Sequence, residues 1–392
     1  MLTVSTITHI DDIDGLVSEW EKLEAGLSPR FPFTSPLWTQ LWWKHYRRSR
    51  FSAADELRIY VVRDDAGALV GVAPMFLSRR PGRGVLCTRE LQFIGADNYV
   101  TELRGPICSP CMTGAVVTAL RDQFERDGGY DWVQWRGLQL GEDFAWTGDY
   151  WPDERLGGVD YFFNLPASWE TFRSGLSRNI KESLRKCYNS LAREKRPFEL
   201  KVVRAPEETD AALDKFLELH RARSERTDTI YHGDVFSSPE AEGFLFDYCR
   251  AMAARNQLLV FQLWIDGKIV ATRIAFGFGD EIYLYFSGYD ADYGRFSVMT
   301  TTVAEAIKWS IENGFRILNL STGSDVSKTR WRPEMTPYSG GYLVSSKMTS
   351  RVAFHLVDFL RNKKLRSRSP ASRDHLDVSE TTAHSGAEYG SN

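Results

Sequence analysis

The order of secondary-structure signals along the chain repeats, and this repeat constrains the fold more than any other feature. Residues 11–24 have the apolar periodicity of an amphipathic helix, and a Ser-Pro pair at 35 opens a second helix. Three strands, a helix and one more strand follow, up to residue 135. The same order returns between residues 207 and 320, with its own Ser-Pro pair at 238. We therefore expect two copies of one α/β unit.

This repeat divides the chain into four regions. We assign residues 1–160 to the first copy, 161–205 to a basic helical connector, 206–350 to the second copy and 351–392 to a basic, then polar, mostly disordered tail. A length of 392 residues suits two domains.

Composition argues against several functional classes. The 49 Lys and Arg are balanced by 52 Asp and Glu, which argues against a DNA-binding protein. No apolar run reaches the roughly 18 residues of a membrane span, and the N-terminus lacks a signal-peptide pattern, so we expect a cytoplasmic protein without a transmembrane segment. Cys108 and Cys111 form a lone C-x-x-C motif, and a zinc site normally needs four ligands. We therefore expect no metal.

A strand–helix–strand unit in the second half points to a phosphate site. Because a helix links the strands predicted over 282–289 and 315–320, the two should be parallel neighbours. The loop 290–296 then meets a helix N-terminus, where unpaired N–H groups and the helix dipole suit phosphates. Arg295 and Thr300 lie beside this position.

Four short patterns in the second half occur in a specific order. They are G-x-x-V-A at 267–271, Y-x-x-G-Y-D at 285–290, Y-x-R-F-S at 293–297, and L-x-L-S-x-G followed by K-x-x-W within 318–331. Together they resemble GNAT acyltransferases, in the FemAB-like branch named after cellulose-biosynthesis acetyltransferases.

This resemblance implies a tandem duplicated GNAT fold, with mixed sheets flanked by helices and the catalytic centre in the second copy. It also implies acyl-CoA (acetyl-CoA) as co-substrate and an amine acceptor on an amino sugar or polysaccharide precursor. Tyr293, Arg295, Ser297 and Thr300 become the candidate cofactor-binding residues.

The chain departs from the family at the pyrophosphate loop. GNAT enzymes usually have Gln/Arg-x-x-Gly-x-Gly/Ala there, whereas this chain reads R-F-S-V-M-T from residue 295 and has neither glycine. Two alternatives to an acyl-CoA enzyme therefore stay open. One is an aminoacyl-tRNA-dependent transferase of the FemAB type, and the other is a catalytically inactive GNAT scaffold in exopolysaccharide assembly.

Three residues are candidates for the chemistry of amine attack on a thioester. Asp290 is either the base or a substrate ligand, or else a cap of the loop. Tyr285 is either the acid for the leaving thiolate or a packed core tyrosine, and His220 either lines the acceptor pocket or is a core histidine.

Five residues are candidates for substrate binding: Arg178, Lys181, Arg223, Lys328 and Trp331. Arg178 and Lys181 belong to a strongly basic helix, which forms either a wall facing an anion or a solvated surface. Lys328 and Trp331 either hold an anionic or sugar-like ligand or serve structure alone. The basic tail is compatible with a weak peripheral membrane contact.

Overall fold

A computed structural model gives the fold over residues 1–50, 53–81, 87–97, 99–226 and 233–366. The first residue of the strand predicted over 86–94 and the tail beyond residue 366 lie outside these described residues.

The described part of the chain contains fifteen strands: β1 (Thr3–Ile7), β2 (Ser49–Arg50), β3 (Ala53–Arg63), β4 (Leu69–Pro81), β5 (Cys87–Phe93), β6 (Ile107–Cys108), β7 (Trp132–Leu138), β8 (Asp149–Pro152), β9 (Gly158–Asn164), β10 (Phe198–Val203), β11 (Leu258–Ile265), β12 (Lys268–Phe278), β13 (Glu281–Tyr289), β14 (Ile317–Thr322) and β15 (Glu334–Val344).

Ten α-helices are described: α1 (Val17–Ala25), α2 (Pro36–Tyr46), α3 (Thr113–Asp127), α4 (Trp169–Gly175), α5 (Arg178–Arg193), α6 (Thr209–Ser224), α7 (Pro239–Ala254), α8 (Val298–Glu312), α9 (Val326–Thr329) and α10 (Met348–Arg366).

Both Ser-Pro pairs begin a helix. The Ser35 hydroxyl accepts a hydrogen bond from the Trp38 N–H at 3.1 Å, and the Ser238 hydroxyl accepts one from the Ala241 N–H at 3.2 Å. The following proline suits the first turn because its missing N–H needs no partner there. The two predicted helix starts are confirmed.

The strands of the two halves are arranged in the same order. In the first half, β1, β3, β4 and β5 pair antiparallel in sequence, and β5 then pairs parallel with β7. In the second half, β10, β11, β12 and β13 pair antiparallel, and β13 pairs parallel with β14. The fold class predicted from the sequence, mixed α/β sheets flanked by helices, is confirmed.

Each half completes the sheet of the other by exchanging a strand. β9, which lies at the boundary between the first copy and the connector in sequence, pairs antiparallel with β14, while β15, from the end of the second half, pairs antiparallel with β7. β15 also pairs with β9. The two sheets therefore join into one continuous strand path from β1 to β10.

A buried aromatic cluster holds the helices of the two halves together. The Trp38 ring lies 4.7 Å from the rings of both Phe244 and Tyr248, so α2 of the first half packs on α7 of the second. The Phe33 ring lies 5.5 Å from that of Tyr283 on β13. Because aromatic side chains bury large apolar areas, this cluster stabilises one relative placement of the halves.

Two segments differ in detail from the predicted regions. The stretch assigned to the helical connector also contains β10, which pairs with β11 as an edge strand of the second half. The stretch assigned to the tail begins inside α10, because Phe354 docks there. Its ring lies 5.7 Å from the ring of Trp132 and 5.3 Å from that of Tyr342. The exact domain limits remain predictions.

Candidate active site

The parallel strands β13 and β14 part shortly after they meet. They pair only from Glu281 to Tyr283 on β13, opposite Ile317 to Asn319 on β14, although β13 continues to Tyr289. A bulge on β13 accompanies the divergence, because two residues, Tyr285 and Phe286, lie opposite a single residue of β12. The strands therefore leave an opening between their carboxyl ends.

The N-terminus of α8 follows the carboxyl end of β13. Ser297 precedes the helix in the left-handed conformation, with φ of 52°, and its side chain makes no capping hydrogen bond. Val298 and Thr300 occupy the two positions where the family has glycine. Val298 is buried, and the Thr300 hydroxyl accepts a hydrogen bond from Arg330 at 3.0 Å. The first turn therefore accommodates the missing glycines without placing the Val298 side chain on the exposed surface.

The loop before α8 is held by its own side chains. The Asp290 carboxylate accepts a hydrogen bond from the Asp292 N–H at 3.0 Å and so caps the short 3-10 turn that follows. Arg295 is exposed and donates to Glu194 at 3.0 Å, and its guanidinium lies 4.6 Å from the centre of the Phe296 ring. Tyr293 packs beside Phe296 with a ring separation of 6.3 Å.

A cluster of charged side chains lies between the halves, beside the opening. Glu102, from the first half, accepts a hydrogen bond from the hydroxyl of Tyr283 on β13. Burial raises the pKa of Glu102, while the positive charges of Lys328 and Arg273 oppose that rise. Burial also lowers the pKa of Arg273, to about 10, and that of Lys328. The mutual attraction of these groups offsets part of their desolvation cost.

Two further polar groups lie at the edge of this cluster. The Lys328 ammonium donates to the Ser321 hydroxyl at 2.8 Å and to the Thr322 carbonyl, which fixes α9 against the end of β14. Asp160, on the exchanged strand β9, is fully buried and accepts a hydrogen bond from the Asn319 amide at 2.8 Å. Its second carboxylate oxygen has no hydrogen-bond partner.

His220 and Arg223, on α6, both reach β13. The Nδ1 atom of His220 lies 3.2 Å from the Ser287 carbonyl oxygen, which can only accept a hydrogen bond. In the neutral ring Nδ1 therefore bears the proton, and Nε2, which lies 3.8 Å from the Asp234 carboxylate, bears the lone pair. Burial lowers the pKa of His220. The Arg223 guanidinium donates to the Ser287 hydroxyl at 3.4 Å and lies 5.3 Å from the centre of the Tyr289 ring.

Gly288 allows α6 to approach this closely. A Cβ atom added at Gly288 would lie 2.5 Å from the backbone nitrogen of His220 and 2.8 Å from the carbonyl carbon of Leu219. Because real Cβ atoms do not approach backbone atoms so closely, a larger residue would push α6 away from β13.

The remaining predicted residues lie in different surroundings. The Tyr285 hydroxyl donates to the Val100 carbonyl inside the core between the halves. Arg178 is largely exposed and pairs with Glu182 one turn away at 2.9 Å, and Lys181 donates to the carbonyl at residue 174 at 2.7 Å. Trp331 is buried against the helices of the second half. The roles predicted for these residues stay predictions.

The equivalent opening in the first half is filled. There β5 and β7 pair only over 90–92 and 132–134, and the loop after β5 lies against β7 where the strands part. A Cβ atom at Gly105 of this loop would lie 2.7 Å from the Arg136 carbonyl oxygen. The loop therefore closes the cleft of its own half and contributes Glu102 to the site of the other.

Sequence reasoning missed Glu102, Asp160 and Arg273. Arg273 and Asp160 lie within strands whose apolar neighbours predict only burial, and Glu102 is 181 residues from its partner Tyr283. A polar residue inside an otherwise apolar strand was the available signal for Asp160 and Arg273, because such residues are seldom buried without a partner.

The described residues contain neither a candidate metal site nor a candidate membrane-spanning helix. No group of His, Cys, Asp and Glu there has the arrangement of a metal site. Nor does any described helix have the length and apolar character needed to cross a membrane.

Comparison with known proteins finds a family match for part of the connector and most of the second half. Residues 178–331 match the family model of the acetyltransferase (GNAT) domain. A search of curated proteins found no match. Among solved structures, FemX is similar with a TM-score of 0.54 at 10% identity, covering 91% of this chain and 99% of FemX.

Two other solved structures are similar at lower scores. A conserved protein of unknown function from Bacteroides thetaiotaomicron VPI-5482 has a TM-score of 0.45 at 13% identity, covering 87% of this chain and 99% of its own. The C-terminal domain of a putative lysylphosphatidylglycerol synthetase from Agrobacterium fabrum has a TM-score of 0.47 at 13% identity, covering 87% and 95%.

The family match spans the parted strands, the α8 N-terminus and α9, and the similarity to FemX extends over both halves. Residues 178–331 are therefore similar to the acetyltransferase (GNAT) domain, within a chain whose overall fold is similar to that of FemX.

Proposed function

We propose that this protein is an N-acyltransferase that takes its acyl group from a coenzyme A thioester. The main support is the opening between β13 and β14 beside the α8 N-terminus, inside the segment that matches the GNAT family. The thioester would bind between the parted strands. The phosphates would meet the backbone N–H groups that follow Ser297, with Arg295 supplying a positive charge.

The acceptor amine would enter from the side of the charged cluster. Glu102 offers a carboxylate for an amine, and Arg223, Arg273 and Lys328 offer positive charge for an anionic part of the acceptor. An amino sugar or a polysaccharide precursor is the acceptor class that the family resemblance favours. The basic face of α5 would extend this surface.

His220 is a candidate to take the proton from the amine, and its ring is buried among those of Phe216, Phe236 and Phe286. Its lowered pKa keeps the ring neutral near neutral pH, and the Ser287 carbonyl holds the proton on Nδ1, so Nε2 can act as the base. If Asp290 were the base, its carboxylate would also have to cap the 3-10 turn that follows it. Tyr285 as acid would have to release its hydrogen bond to the Val100 carbonyl.

Calorimetric titration of the full chain with acetyl-CoA tests the donor. Arg295→Ala should raise the dissociation constant about tenfold, because one charge-assisted hydrogen bond is lost. Arg316→Ala is the matched control, since Arg316 forms a similar exposed ion pair, with Asp280, at the opposite end of the strands. The Arg316→Ala variant should bind acetyl-CoA with the same affinity as the wild type.

The titration separates the proposal from its alternatives. A flat titration with acetyl-CoA and with longer acyl-CoAs would eliminate coenzyme A as donor and leave an aminoacyl-tRNA donor or a non-catalytic scaffold. If acetyl-CoA binds, turnover with glucosamine-type acceptors tests the catalytic residues. If Asp290 is the base, Asp290→Asn should reduce turnover about 100-fold with little change in donor affinity. If His220 is the base, His220→Gln should have this effect instead.

A further inference from the structure

Helix α10 has two apolar faces, and the described residues of the fold cover one of them. The inner face packs Ala353 and Phe354 against the first half. The opposite face, which we call the outer face, consists of side chains that are 40% to 73% exposed: Met348, Val352, Leu356, Phe359 and Leu360. Each of these positions is three or four residues from another of them, so they share one side of the helix.

Exposed apolar side chains are concentrated at this place. Of ten large hydrophobic residues that are exposed in the described part of the chain, five belong to the outer face. A sixth, Trp151, lies next to the helix, with its ring 5.1 Å from that of His355. Contiguous exposed apolar surface of this kind marks an interaction site, because it is costly to leave in water.

The sequence adds positive charge directly after the outer face. Residues 361–368 read R-N-K-K-L-R-S-R, which gives five cations and no acid. The acidic residues near the helix have partners of their own, since Asp149 pairs with Arg351 at 3.2 Å and Asp358 with Arg155 at 3.8 Å. The combination of apolar side chains and cations matches a surface that is both apolar and anionic.

We propose that α10 docks the protein onto a membrane surface that contains anionic lipid. The outer face would enter the boundary between headgroups and acyl chains, and the following cations would contact the headgroups. Trp151 suits the same depth, because tryptophan is enriched at membrane–water interfaces. The helix would lie in the plane of the surface and hold the enzyme at the membrane.

Flotation of the full chain with lipid vesicles tests this binding. The protein should float with vesicles of phosphatidylglycerol and phosphatidylcholine, and much less with phosphatidylcholine alone. Phe359→Ser should weaken binding about tenfold through lost apolar contact. Lys363→Gln together with Lys364→Gln should weaken it about 30-fold, at about fivefold for each charge removed.

Met335→Ser is the matched control, because Met335 is similarly exposed but lies on β15. It should bind vesicles like the wild type. Phe359→Ser and Met335→Ser should keep the wild-type melting temperature, because both side chains are exposed.

Two results would overturn the proposal. One is that the protein floats equally well with anionic and neutral vesicles, or that it floats with neither. The other is a dimer in sedimentation that Phe359→Ser dissociates while vesicle binding is absent, which would assign the outer face to a second copy of the chain. Neither result bears on acetyl-CoA binding, so this proposal and the proposed catalytic function fail separately.

Discussion

Asp160→Asn should make the folded protein more stable at mildly alkaline pH. Asp160 is fully buried on β9, and burial raises the pKa of its carboxyl from an ordinary 3.8 to about 7, against the opposing hydrogen bond from Asn319. Asparagine keeps the oxygen that accepts this bond. It places an uncharged NH₂ group where the unpartnered carboxylate oxygen lies.

The sign follows from proton binding. Between the unfolded and folded pKa values, Asp160 of the folded protein holds a proton that the unfolded chain has released. The free energy of unfolding therefore falls as pH rises through this window. The loss is complete above about pH 7. A pKa difference of about three corresponds to about 4 kcal/mol. Integrated from about pH 5 to about pH 8, the stability of Asp160→Asn relative to wild type should increase by about 2.5 kcal/mol.

Urea unfolding of both proteins at several pH values measures this difference. Asp12→Asn, at an exposed carboxylate, controls for the loss of one negative charge. A difference between Asp160→Asn and wild type that stays constant with pH would refute the reasoning. It would mean that Asp160 is ionised in the folded protein at the lower pH, held by the neighbouring cations more strongly than burial disfavours it.

Two further predictions concern the packing around the site. Gly288→Ala should destabilise the protein by about 2 kcal/mol or shift α6, because its Cβ would meet the His220 backbone, whereas Gly294→Ala has open space and should cost little. Urea unfolding compares the two, and equal stabilities would show that α6 is not in close contact with β13. Lys328→Met should destabilise by about 2 kcal/mol because it removes one of the two positive charges that oppose the desolvation of Glu102, and adding Glu102→Gln should recover part of that loss. Additive losses in the double variant would show that the two charges do not interact.

Local signals in the sequence were sufficient to predict the repeated unit. Apolar periodicity and the caps at Ser35 and Ser238 depend on residues only a few positions apart, so they could be interpreted without the fold. The helix between the last two strands of the unit also required a parallel pair, and β13 and β14 form one. Short motifs in the same region indicated the GNAT family.

Only the tertiary structure decided how the two units meet. The exchange of β9 and β15 depends on pairing between residues far apart in the chain, and local propensity does not specify such pairing. The loop that fills the first cleft also places Glu102 beside Tyr283 of the second half, a contact that spans 181 residues. The asymmetry between the two halves therefore lies in this loop, which closes the first cleft, whereas the strands β13 and β14 part and leave an opening.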